Sequence, residues 1–149
     1  MQTVQFETRL NWLELKRGII TSGEVKDLIR VATPPAFGGD GEEWSPEHLL
    51  ISALSSSFMS TYLYYASQLG FDISHFVCKV KGVIALSEGR YVFSQIHLYP
   101  RIYVTDDACL GKAREALEKA KANCIVANSL KAAIIFNSEV ARDPHPRPA

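Results

Sequence analysis

Residues 45–59 begin the longest predicted helix and read Ser45-Pro46-Glu47-His48-Leu49-Leu50-Ile51-Ser52-Ala53-Leu54-Ser55-Ser56-Ser57-Phe58-Met59. Ser45 is a suitable N-cap, and Pro46 at the first helical position has no backbone donor to leave unpaired. Glu47 then lies where the helix dipole favours a negative charge. We predict that the helix runs from here to about Leu69, because a glycine follows and glycine commonly ends helices.

From Leu49 to Phe71, through the predicted helix and just past its end, the sequence contains no charged side chain. That length could span a bilayer, but the many hydroxyl and amide groups favour a buried helix of a water-soluble protein. Small side chains would let another element approach the helix backbone closely. They are Ser52, Ala53, Ser56, Ser57 and Ser60.

The rest of the chain alternates between strand and helix patterns, which predicts an α+β fold in one domain, residues 1–149. The predicted strands are 3–13, 19–22, 25–32, 73–86, 90–104 and 132–140, and the predicted helices are 106–123, capped by Thr105, and 126–131. Residues 34–43 are predicted to be a loop. The proline-rich tail, 142–149, is predicted to be frayed.

Composition excludes several classes of partner. The 149 residues carry 16 Lys+Arg and 16 Asp+Glu, so the formal net charge is zero and neither nucleic acid nor a membrane surface is an expected partner. The chain has three cysteines, an odd number, and no two of them form a CxxC motif. With no secretory signal pattern at the N-terminus, we expect a reducing cytosol.

No metal or cofactor is expected. His48, His75, His97 and His145 lack zinc-type spacing with one another or with the cysteines. The segment 38–41, Gly-Gly-Asp-Gly, lacks the lysine and the Ser/Thr of a phosphate-binding loop, so we interpret it as a turn.

Four short motifs occur in order along the chain. They are Lys16-Arg17-Gly18, Ser45-Pro46-Glu47, Ser57-Phe58 and Ala122-Asn123-Cys124-Ile125-Val126. From about Asn11 to Val140 the sequence resembles the OsmC/Ohr family of thiol-dependent hydroperoxide reductases. The resemblance implies an OsmC-like fold, with antiparallel sheets packed around a long central buried helix, and an intertwined homodimer.

The resemblance also implies roles for individual residues. Arg17 matches the family's catalytic arginine and could stabilise a thiolate, while Glu47 could hold the guanidinium. Cys124 matches the resolving cysteine, although Ile125 replaces the usual proline. An apolar substrate pocket is expected from Phe37, Trp44, Phe58 and Met59.

Ser57 occupies the position of the family's peroxide-attacking cysteine, and serine has no comparable oxidation chemistry. Three interpretations are open. Cys124 could act alone on an organic hydroperoxide and be recycled by an external thiol, the chain could bind an apolar small molecule without catalysis, or Ser57 could serve a hydrolase. Cys124 could equally be inert and buried. For Cys109, near a helix start, and for Cys78, in a strand, we expect ordinary packing.

Overall fold

The computed structural model describes residues 2–147, and these form seven strands and three α-helices. The strands are β1 Arg9–Glu14, β2 Arg17–Ser22, β3 Val25–Ala32, β4 Ile73–Ser87, β5 Arg90–Val104, β6 Ala133–Phe136 and β7 Glu139–Arg142. The helices are α1 Pro46–Leu69, α2 Leu110–Asn123 and α3 Ile125–Ser129. The chain divides into two compact units, one ending at Leu50 and one beginning at Ile51.

The first unit contains an antiparallel meander in the order β1-β2-β3. The first strand is shorter than the predicted 3–13, because regular pairing begins only where Arg9 meets Thr21. Many apolar side chains of this unit are exposed, with Phe6 at 85%, Leu15 at 80% and Trp12 at 73%. A sheet of three strands buries little apolar surface on its own, so these side chains are available to a partner surface.

The second unit has a four-stranded sheet built on the long β4–β5 hairpin. A tight turn joins the two strands: Glu88 has φ 50° and Gly89 φ 77°, as a two-residue type I′ turn requires. The sheet is mixed, because β6 and β7 both pair parallel to β5. The predicted single strand 132–140 is interrupted at Asn137 and Ser138, and β6 and β7 run along β5 in the same register on either side of that interruption.

Helix α1 begins and ends where the sequence predicts, with Pro46 first and Gly70 following in a left-handed conformation. It buries one stripe at intervals of four residues: Leu54, Phe58, Tyr62 and Ala66. The Phe58 ring lies 5.1 Å from Phe136 and 6.1 Å from Phe76, so this stripe forms the aromatic core against the second sheet.

The opposite face of α1 is exposed, although the helix contains no charge from Leu49 to its end at Leu69. Its exposed members are uncharged, and most are small or apolar: Ala53, Ser56, Met59, Ser60, Leu63, Tyr64, Ser67 and Gln68. An uncharged exposed face is unusual for a surface helix, where polar and charged residues normally face water. No helix within residues 2–147 has the length and hydropathy needed to cross a bilayer.

The buried face of helix α2 consists mainly of alanine: Ala113, Ala116 and Ala120, together with Leu117. Tyr62 Oη donates a 3.0 Å hydrogen bond to the carbonyl of Ala113, which joins α2 to α1. The predicted start at Asp106 is wrong, because residues 107–109 form a 3-10 turn before α2 begins at Leu110. The cap is Asp106 rather than Thr105, since its carboxylate accepts the backbone N–H of Ala108 at 3.0 Å.

The C-terminal segment is ordered further than predicted. Arg142 belongs to β7, and Asp143 is 5% exposed with its N–H bonded to the carbonyl of Val104 at 2.8 Å. The assignment of both residues to a frayed tail is therefore wrong. Pro148 and Ala149, which that prediction also covered, lie outside the described residues.

Candidate functional site

Cys124 and Ser57 lie together in the second unit. The thiol of Cys124 donates a hydrogen bond to Ser57 Oγ at 3.4 Å, although the two residues are 67 positions apart in sequence. Cys124 is fully buried and Ser57 is partly exposed. A hydroxyl oxygen and a thiol sulfur are therefore in direct contact at this point of the second unit.

The backbone around Cys124 explains its placement. Cys124 ends α2 and precedes α3 in an extended conformation, with φ −66° and ψ 113°. Its carbonyl accepts the backbone N–H of Asn128 at 3.0 Å, and the Asn128 side chain bonds back to the carbonyl of Ala122 at 3.1 Å. These bonds hold the bend although Ile125 stands where proline was expected.

Ser57 has no partner that could activate it as a nucleophile. Its hydroxyl contacts Cys124 Sγ, and its carbonyl accepts the Thr61 hydroxyl at 2.8 Å. Within residues 2–147, neither a histidine nor a carboxylate is hydrogen-bonded to the Ser57 side chain. A serine nucleophile needs an adjacent base, so this geometry gives no support to the hydrolase interpretation.

Arg17, in the first unit, is held by three carboxylates that the sequence analysis did not identify. It pairs with Asp40, with Glu42 at 3.0 Å and with Glu43 at 3.5 Å. The hydrogen bonds that Arg17 donates to Asp40, and then to Glu42, raise the pKa of Arg17 further above its ordinary value. The signal available in the sequence was the group of acidic residues within and directly after the glycine-rich segment 38–41.

The glycines of this loop allow the close approach. A Cβ on Gly39 would lie 1.5 Å from the carbonyl oxygen of Thr33, and Gly38 adopts φ 82°. The adjacent Lys16 donates through Nζ to the carbonyls of Phe37 and Gly38, at 3.4 and 3.1 Å. The loop is thus fixed by both basic residues of the Lys16-Arg17 motif.

Glu47 and Ser45 occupy the start of α1. Ser45 is 2% exposed, and its Oγ accepts the backbone N–H of His48 at 3.1 Å, which confirms the predicted N-cap. The Oε2 atom of Glu47 is buried, and within residues 2–147 it has no hydrogen-bond partner. The ion pairs of Arg17 in the described residues are those with Asp40, Glu42 and Glu43, and the pairing of Arg17 with Glu47 stays a prediction.

The four predicted pocket residues differ in exposure. Phe58 is fully buried in the aromatic core, whereas Phe37 is 43%, Trp44 53% and Met59 37% exposed. Their common role in a substrate pocket stays a prediction.

The other two cysteines are not paired with Ser57. Cys78 lies in β4, and burial raises the pKa of its thiol. Cys109 lies in the 3-10 turn before α2 and makes no side-chain cap hydrogen bond. Among the described residues, no three His, Cys, Asp or Glu side chains converge to hold a metal ion.

The pairing of Arg17 gives a measurable titration. The Arg17 hydrogen bond holds the pKa of the Asp40 carboxyl below its ordinary value of about 3.9. A depressed folded pKa stabilises the protein above the unfolded pKa, and this contribution is lost as the pH falls through the folded value. We expect Arg17→Ala to return the Asp40 pKa, followed by carboxyl NMR, toward 3.9.

The matched control is Lys16→Ala, because Lys16 contacts loop carbonyls rather than the Asp40 carboxylate. Asp40 should keep its depressed pKa in that variant. An unchanged Asp40 titration in Arg17→Ala would show that the ion pair is not formed in solution.

Known proteins resemble this chain in sequence over most of its length. The sequence model of a family described as OsmC-like protein matches residues 39–139. An uncharacterized Bacillus subtilis protein, YmaD, is 19% identical over 141 residues, covering 91% of this chain and 93% of its own.

Two solved structures show the same fold. An OsmC-like protein of unknown function from Vibrio cholerae has a TM-score of 0.82 at 16% identity, covering 91% of this chain and 99% of its own. An organic hydroperoxide resistance protein from Elizabethkingia anophelis has a TM-score of 0.74 at 18% identity, covering 96% and 100% of the two chains. The predicted α+β fold of OsmC type is confirmed.

Proposed function

Because this chain belongs to the OsmC-like protein family, we propose that it is a thiol-based redox protein acting on organic hydroperoxides, with Cys124 as its reacting group. The observation that carries the proposal is the 3.4 Å contact between Cys124 Sγ and Ser57 Oγ. The name of the Elizabethkingia anophelis neighbour supports the substrate class. An attacking sulfur is absent at position 57, so the chemistry rests on a single thiol.

The proposed reaction has two stages. The Cys124 thiolate attacks the outer oxygen of the hydroperoxide, an S–O bond forms, the O–O bond breaks, and the alkoxide leaves as an alcohol after taking a proton. Cys124 is thereby oxidised to a sulfenic acid. An external thiol attacks the sulfenic sulfur and releases water, leaving a mixed disulfide, and a second thiol regenerates Cys124 and leaves as a small disulfide.

Ser57 has a supporting role in this scheme. Its hydroxyl can donate a hydrogen bond to a thiolate at the same distance at which it now accepts one, and such a bond favours the charged form. The partly exposed Ser57 also marks the side from which a hydroperoxide would approach the buried sulfur. We assign Ser57 to positioning and anion stabilisation, and Arg17 keeps the thiolate-stabilising role that the family resemblance implies.

A reducing compartment and a homodimer are part of the proposal. Recycling needs a pool of small thiols, which the cytosol supplies. A second copy of the chain would cover the exposed uncharged face of α1 and the exposed apolar residues of the first unit.

The test is peroxide consumption by the wild-type chain and by Cys124→Ser. We expect slow turnover of cumene hydroperoxide with an added thiol, and a sulfenic acid trapped at Cys124 by a dimedone-type reagent. Cys124→Ser should abolish both the turnover and the trapping, because a peroxide does not oxidise a serine hydroxyl as it oxidises a thiol to a sulfenic acid.

Cys78→Ser and Cys109→Ser are the matched controls and should retain the turnover, since neither thiol contacts Ser57. Arg17→Ala, measured alongside, should slow consumption. The proposal would be overturned if the wild-type chain consumed no hydroperoxide with any of several reducing thiols and formed no sulfenic acid at Cys124.

One observation favours a second function. Cys124 is fully buried, while Trp44 is 53% and Phe37 43% exposed, which suits a protein that binds an apolar small molecule without catalysis. Quenching of Trp44 fluorescence by apolar ligands, measured in a Trp12→Phe variant and in a chain with unreactive Cys124, would support this alternative. Absence of any response across a ligand panel would contradict it.

A further inference from the structure

A cavity of about 380 Å³ lies between α2 and the last two strands of the second unit. Helix α2 contributes Arg114, Leu117, Glu118 and Lys121, which recur at helical spacing and so form one face. The β6–β7 segment contributes Phe136, Ser138 and Val140. Neither Cys124 nor Ser57 lines this cavity, so it is separate from the proposed redox residues.

The cavity carries one cation that is not neutralised. Lys121 Nζ pairs with Glu118 at 3.0 Å and lies 5.6 Å from the centre of the Phe136 ring. Arg114 forms no ion pair and no side-chain hydrogen bond within residues 2–147, although Glu118 is four residues away on the same helix face. Because Glu118 forms its ion pair with Lys121, the guanidinium of Arg114 can bind an anion.

The cavity also carries a buried hydroxyl without a partner. The Oγ atom of Ser138 is buried and makes no hydrogen bond within residues 2–147. A buried polar group without a partner destabilises a protein, so native structures rarely keep one without a reason. A hydroxyl beside a cavity that also holds a free guanidinium suits the recognition of an oxygen-bearing ligand.

We propose that this cavity binds a small organic monocarboxylate with an aliphatic body. The Arg114 guanidinium matches the fork of a carboxylate, and Ser138 Oγ–H can donate to one of its oxygens. Leu117, Phe136 and Val140 supply an apolar floor for the aliphatic chain. Inorganic phosphate would leave that floor unused, and a neutral alcohol would leave Arg114 unpaired.

Octanoate is the probe that tests this site, with n-octanol and inorganic phosphate for comparison. In titrations followed by calorimetry and backbone NMR, octanoate should shift the amides of residues 114–121 and 136–140 and bind at least roughly ten-fold tighter than n-octanol. Phosphate should bind more weakly than octanoate. Equal affinity for octanoate and n-octanol, or shifts confined to other parts of the chain, would overturn the proposal.

Two variants separate recognition from general folding. Arg114→Ala should weaken octanoate binding roughly ten-fold, whereas Lys112→Ala, an exposed cation on α2 outside the cavity, should not. Ser138→Ala should raise the melting temperature of the free protein, because it removes an unpaired buried hydroxyl, and should also weaken octanoate binding. Equal affinities in Arg114→Ala and Lys112→Ala, or unchanged octanoate affinity in Ser138→Ala, would contradict the assignment.

Discussion

The Ser57→Cys variant is expected to consume an organic hydroperoxide roughly ten-fold or more faster than the wild-type chain. The physical reason is the 3.4 Å contact between Ser57 Oγ and Cys124 Sγ, which would place two sulfur atoms side by side. A sulfenic acid formed on either sulfur could condense with the other, release water and give a disulfide. Steady-state peroxide loss with a dithiol reductant measures the gain.

The matched control for this variant is Ser56→Cys. Ser56 neighbours Ser57 on α1, but it is exposed and its hydroxyl bonds to the carbonyl of Ala53 at 3.2 Å rather than to Cys124. It adds a thiol to the same helix without placing it against Cys124, and should give no comparable gain. Equal rates for the two variants would mean that proximity to Cys124 contributes nothing.

The second large effect concerns association. We expect the chain to sediment at twice its 16.6 kDa mass, because the exposed face of α1 is uncharged and rich in small residues. Ser60→Arg should convert the dimer to a monomer. Ser60 is exposed in the single chain, so the arginine is tolerated there, but a partner helix would bury its charge unpaired.

Ala122→Arg provides the matched control, since it also replaces a small exposed helical residue with arginine. That variant should remain dimeric. A wild-type chain that sediments as a monomer, or a dimer unaffected by Ser60→Arg, would contradict a homodimer formed through this face of α1.

Local signals made parts of the fold predictable. The bounds of α1 follow from Ser45, Pro46 and Gly70, because capping, the missing proline donor and the left-handed glycine all act within a few residues. The β4–β5 turn is equally local, since Glu88 and Gly89 need only positive φ.

The pairing of strands that are distant along the chain could not be predicted from the sequence. The strands β6 and β7 pair parallel to β5, whose residues are more than thirty positions earlier, and no periodicity in 132–140 reveals either this parallel pairing or the interruption at Asn137 and Ser138. The burial of Asp143 likewise depends on β7 running beside the end of β5, which places its N–H against Val104.

The candidate site was predicted in part for the same reason. The family resemblance matched Ser57 to the attacking-cysteine position and Cys124 to the resolving-cysteine position, and the two side chains do lie in contact. The helix-start motif suggested Glu47 as the partner of Arg17, whereas Arg17 is bound by Asp40, Glu42 and Glu43 of a neighbouring loop. Long side chains and a glycine-rich loop allow many ion pairs, and sequence order does not select among them.

The most direct test is peptide mapping of the Ser57→Cys variant after one equivalent of hydroperoxide. If position 57 holds the place of the attacking sulfur, the introduced cysteine will be recovered in a disulfide-linked peptide with Cys124. Cys78 and Cys109 will stay reduced. Recovery of both sulfurs as free or separately oxidised residues, or of the introduced cysteine linked to Cys78 or Cys109, would contradict the assignment.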